Sequence, residues 1–257
     1  IEKGLASGGD GGGILNLGQL SLRGVTLRNH RAKTDPLVAD GRGAALANRS
    51  LAKLEDVRIE NNTADGRGGG IYNDENASLE ALNSTIRGNV SQTDLGGGIC
   101  NEGNVKLVIS TVEQNRAAEG GGIATPSGQT LLLDSTVSGN QAGTDGGGLL
   151  NAGTLTATDL TLSGNSAGGS GGGLFNRGDG RVVLNNVTIA QNKASGGGGL
   201  ANKAGTVEVS NSILAANTAS PETAPDCSGA ILSGGYNLIE TAAGCQIGGQ
   251  SHGNEDG

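Results

Sequence analysis

Six acidic side chains stand at or beside the start of glycine runs: Asp10, Asp40, Asp65, Asp94, Glu119 and Asp145. Recurring carboxylates of this kind suit two chemistries. Stacked one above another they repel unless a hard cation such as Ca2+ sits between them, and Asp65, Asp94 and Asp145 are the candidate calcium ligands. Converging in one groove, with or without Lys and Arg, they would be the acids and bases of a polysaccharide-cleaving site. The spacing matches neither closely. It lacks the Gly-Gly-x-Gly-x-Asp nonapeptide of calcium-stacked rolls, and Asp-Gly turn chemistry accounts for most of the acids. The two histidines, His30 and His252, lie far apart in the chain, and there is no Gly-x-Ser-x-Gly, Cys-x-x-Cys or His-Glu-x-x-His motif. No catalytic residue is assigned, and no cofactor other than calcium is expected. Cys227 and Cys245 bracket a short segment that a disulfide would close readily, as is usual in an oxidising compartment. Cys100 takes a repeat position held elsewhere by Leu15, Ala47, Tyr72 and Phe175, and reads as a small packed hydrophobe.

The element that must position these groups is a repeat. Gly-Gly-Gly, then Ile or Leu, one variable residue and Asn, recurs at 11–16, 68–73, 96–101, 146–151, 171–176 and 197–202, with weaker copies at 43–48 and 120–125. Each copy is followed by a short apolar stretch such as Val105-Lys-Leu107, then by a segment such as Leu160-Thr-Leu-Ser-Gly-Asn-Ser-Ala167. Three short strands per unit, joined by turns rich in Gly, Asn and Asp, predict an all-β fold: a single parallel β-helix of about eight to nine coils. The connections are too short for crossover helices. Residues 1–226 form the repeats, and 227–257 a disulfide-closed coil with a polar tail. The chain opens inside a strand–turn unit, as expected of a piece of a longer protein.

Leu27, Ile59, Ile86, Val112, Val137, Leu162, Ile189 and Leu214 share one position and point inward. Three residues on stand His30, Asn62, Asn89, Asn115, Asn140, Asn165, Asn192 and Asn217, which predict an amide ladder. Asn16, Asn48, Asn73, Asn101, Asn151, Asn176 and Asn202 predict a second, interrupted at Thr125. The first strand carries two adjacent apolar residues in nearly every coil, and alternation can bury only one of them in a thin core. Leu15, Tyr72, Leu150 and Phe175 are therefore covered either by the chain's own loops or by a partner.

A net charge of −8 and a pI near 4.8 argue against nucleic acid and anionic membrane surfaces as partners. No apolar run is long enough to insert in a membrane. The repeats at Gly68–Asn73, Gly96–Asn101 and Gly171–Asn176, each with a strand such as Ser84-Thr-Ile-Arg-Gly-Asn89, resemble those of polymorphic outer-membrane proteins. They are still more similar to right-handed parallel β-helix proteins secreted by bacteria, as is the closing stretch from Asp226 through Gly235-Tyr-Asn-Leu-Ile239 to Cys245. The resemblance implies an extracellular or cell-surface protein of a non-catalytic, structural or adhesive kind. Its expected partners are further copies of itself or another surface protein, as in a fibre. Binding or cleavage of glycans is the alternative.

Overall fold

The computed structural model describes residues 1–35, 40–220 and 223–256; Gly257, the last residue of the expected tail, lies outside the described residues. Successive coils stack strand on strand, and every pairing among the described residues is parallel. The nine-stranded sheet counts the coils.

One coil shows how sequence becomes shape. Ile71–Asn73 forms the first face, Ser78–Leu82 the second, Thr85–Arg87 the third and Val90–Ser91 a short fourth. The expected third strand thus turns a corner and continues as a fourth. The cause is local: Gly88 has a φ of 64°, and the corresponding corner holds Asn61, Gln114, Gln191 and Ala216 at φ between 54° and 58°. A left-handed residue bends the strand sharply, and Gly and Asn accept that conformation most readily. A second left-handed corner, at Asp56, Asn83, Asp134, Asp159, Asn186 and Asn211, separates the second face from the third.

Register carries each residue type directly over its like. Ile71 pairs with Ile99, Leu79 with Val105, and Ile86 with Val112. Their alternation puts Ile71, Leu79, Ala81, Ile86 and their counterparts into one continuous core. Polar ladders line the core's edge. Asn115 donates from Nδ2 to Asn140 Oδ1 at 3.0 Å and to the Ile86 carbonyl at 2.9 Å, while its own Oδ1 accepts the Asn89 backbone N–H at 2.9 Å. The pattern repeats from Asn62 to Asn217 and ends on the buried Asp226, whose Oδ1 accepts Asn217 Nδ2 at 2.8 Å. Every amide-to-amide bond in the row runs toward the C-terminus, so a carboxylate is the fitting last acceptor. The other end is His30, which donates its backbone N–H to Asn62 Oδ1.

The closing segment continues the same sheets. Cys227–Gly235 pairs with Leu200–Asn202 and Thr206–Ser210, and Cys245–Gly249 pairs with it in turn. The Cys227–Cys245 disulfide, with Cα atoms 5.5 Å apart, ties these last two layers together as expected. No helix among the described residues is long and apolar enough to cross a membrane, which says nothing about a β-barrel.

Candidate functional site

The second apolar residue of the first-face strands, Leu15 excepted, lies under a cover. Tyr72, Leu95, Cys100, Ala124, Leu150, Phe175 and Ala201 form a second, smaller core outside the first. The glycine turns make the lid. Gly96 has a φ of 71°, and a Cβ there would strike the Ile99 carbonyl and Cys100 backbone nitrogen. Only glycine lets the turn fold back this closely over the strand it precedes. The expected partner surface is corrected accordingly. Tyr72, Leu150 and Phe175 are buried by the chain's own turns, and Leu15, 44% exposed, is the member left open.

A network of charged side chains clamps the N-terminal half of this lid. Tyr72 donates its hydroxyl to Glu102 Oε2 at 2.5 Å and accepts Arg42 Nη1 at 3.3 Å, with the Arg42 guanidinium 5.1 Å from its ring centroid. Arg67 bonds Asp94 at 3.0 Å and also Glu102. Arg49 bridges Asp10 at 2.8 Å and Asp74 at 3.7 Å. Burial, reinforced by Glu102, raises the Tyr72 pKa and keeps the phenol protonated. Burial likewise raises the Cys100 thiol, so Cys100 is a neutral packing group and not a thiolate nucleophile. Arg42 Nε is buried without a partner. Sequence reading missed Arg42, Arg49, Arg67 and Glu102 because the residue type at their repeat positions, just before the glycine run and just after the ladder Asn, varies from coil to coil.

The six glycine-turn acids are each engaged by the chain's own donors. Asp10 accepts the Arg42 backbone N–H at 2.8 Å, Asp40 pairs with Arg42, and Glu119 with Arg177 at 2.9 Å. Of the proposed calcium ligands, Asp65 accepts the Thr34 N–H at 3.2 Å, Asp94 binds Arg67, and Asp145 accepts the Ser170 N–H at 2.6 Å. Among the described residues no three His, Cys, Asp or Glu side chains gather as a metal site. Apart from Asp40, whose partner Arg42 stands two residues on in the same turn, these carboxylates pin one coil to another, which is the local chemistry that the arrangement performs.

A different surface lies open on the second face. Its outward side chains line a shallow trough of ≈ 540 Å³ that includes Ser78, Glu80, Asn104, Lys106, Gln129 and Thr154. At its centre Lys106 Nζ meets Glu80 Oε1 at 2.9 Å.

Residues 56–74 and 159–177 match the Chlamydia polymorphic membrane protein repeat. Each matched stretch runs from a left-handed corner, Asp56 or Asp159, through the third and fourth faces and the glycine turn to just past the ladder residue Asn73 or Asn176. This chain is a β-helix repeat protein similar to the polymorphic membrane proteins. No curated protein and no solved structure matches it.

Proposed function

We propose that the chain is a non-catalytic, extracellular rod of a bacterial cell surface, structural and adhesive in role, and able to serve as the protomer of a fibre. The observation that carries this reading is where the polar chemistry goes. Both asparagine ladders and five of the six glycine-turn acids bind the chain to itself, coil to coil, and so stiffen a rod. The match to a surface-protein repeat supports the location.

One feature supports end-to-end assembly: the charge along the rod is uneven. Lys3, Arg23, Arg28, Arg31 and Lys33 lie in the first coil, whereas no Lys or Arg follows Lys203, and Glu208, Asp226, Glu240 and Glu255 do. A head-to-tail contact would set basic against acidic ends, and such a heterologous contact propagates without closing. Electron microscopy of the purified chain at rising concentration and low salt should show filaments, and labelling of intact cells should reach it with antibody. A monodisperse monomer under all conditions would refute the fibre, and an unlabelled intact cell the surface location.

A further inference from the structure

The trough on the second face extends further than its central part. A second depression of ≈ 530 Å³ adjoins it and shares Ser78 and Glu80. Together they cross six coils. Register aligns Gln19, Leu51, Ser78, Asn104, Gln129 and Thr154 in one file. A second file of Ser21, Lys53, Glu80, Lys106, Leu131 and Thr156 runs beside it. The side chains of Gln19, Ser78, Asn104, Gln129, Thr154 and Thr156 make no hydrogen bond to any described residue. The contrast with the ladder amides is sharp, since those spend their capacity inside the rod.

We propose that this trough binds a linear, uncharged glycan laid along the rod axis. The proposal rests on the adhesive reading above and supplies its ligand class. Parallel coils rise by about 4.8 Å each, close to the length of one sugar unit in an extended chain, so the unpaired amides and hydroxyls would meet successive sugars in step. Amide and hydroxyl side chains both donate and accept, as sugar hydroxyls do. Leu51 and Leu131 offer aliphatic patches between them for the C–H faces of the rings. Protein partners favour deep pockets for aromatic or Arg anchors, and this trough is shallow. An anionic polymer would meet a chain of net charge −8, with Lys106 already held by Glu80.

The test is affinity electrophoresis and calorimetry of the whole chain against linear neutral β-glycans, xylan and mannan, with polygalacturonate and alginate beside them. Retardation by at least one neutral polymer is expected. An Asn104→Ala/Gln129→Ala variant should bind at least tenfold more weakly, because both side chains are exposed and their loss leaves the core intact. Thr188→Ala, on the exposed third face, should bind as the parent does. Retardation by no polymer, or by the anionic ones alone, would overturn the proposal. So would binding that the double variant leaves unchanged, or that Thr188→Ala weakens equally. Release of new reducing ends from a glycan held in the trough would support the site and refute the non-catalytic rod. Absence of binding with filaments still present would do the reverse.

Discussion

Thr125 breaks the first-face ladder, and the break has an energetic signature. Elsewhere each ladder amide donates to the next: Asn48 Nδ2 to Asn73 Oδ1 at 2.8 Å, and Asn151 Nδ2 to Asn176 Oδ1 at 2.8 Å. At the break Asn101 Nδ2 turns to Thr130 Oγ1 at 3.0 Å, and Thr130 Oγ1 sits 2.7 Å from Thr125 Oγ1. Beyond it, Asn151 Oδ1 is buried with no donor. Thr130 itself stands in register with Val105 and Leu155, so its hydroxyl exists to serve this defect. The double variant Thr125→Asn/Thr130→Val should restore the row, with residue 125 accepting from Asn101 and donating to Asn151. Relieving one unsatisfied buried acceptor is worth about 1–3 kcal/mol, so we expect a gain of roughly 2 kcal/mol, about a thirtyfold shift in the equilibrium. Thr125→Asn alone should gain less, because it leaves the buried Thr130 hydroxyl short of its present partner. Urea unfolding should show a higher midpoint at unchanged slope. Amide exchange should slow most around Asn101, residue 125 and Asn151, since stacked coils couple chiefly to their neighbours. A double variant no more stable than the parent would refute the ladder as an additive, coil-by-coil source of stability.

Three further outcomes follow from single residues. His30 accepts the Gly4 N–H at Nδ1 (2.9 Å) and turns Nε2 toward the Ile1 carbonyl (3.1 Å), and burial holds its pKa below the ordinary histidine value. The unfolded chain therefore takes up a proton first, and stability present above about pH 6.5 should decline as pH falls from there toward the lowered folded value. Comparing thermal unfolding with His30→Asn across this window checks it, since the variant should lack that decline; parallel curves would refute the assignment. Ile109 is 57% exposed at a φ of 50°, in a corner where neighbouring coils place Asn83 and Asp134. Because a β-branched residue is strained there, Ile109→Asn should raise stability by about 1 kcal/mol in urea unfolding, and a loss would count against that strain. Cys227→Ser should cost about 3 kcal/mol by the loop-entropy relation, read as faster amide exchange at Cys245–Gly249 than in the central coils.

What was legible in the sequence is what recurs at fixed spacing. Leu27, Ile59 and Ile86 announce the core because each coil places the same residue type at the same point of the register. The asparagines announce the ladder for the same reason, and even Thr125 was visible as its gap. The fourth face was not, because its corner depends on φ and not on a residue type. Gly88 and Asn61 look like corner residues, but Gln114, Gln191 and Ala216 take the same left-handed conformation without any signal in their chemistry. There the stacked neighbours impose the bend and override local preference.

The second core was half legible, and the missing half is instructive about where function can sit on such a rod. Two apolar residues in succession state that both sides of the strand are covered, yet the cover consists of glycine backbone, which has no side-chain pattern to read. Its charged clamp is no easier, since Arg67 meets Glu102 across 35 positions and the residue type at both places varies from coil to coil. Stacking converts a coil-length separation into direct contact, so residues that break the periodicity interact as readily as those that keep it. The second-face trough follows the same logic in reverse. Gln19, Ser78 and Asn104 occupy one register file without sharing one residue type. Core and ladder positions must repeat because each is packed against its copy in the next coil. An outward file is released from that constraint, and a file that keeps hydrogen-bonding capacity without spending it on its neighbours is free to meet a ligand.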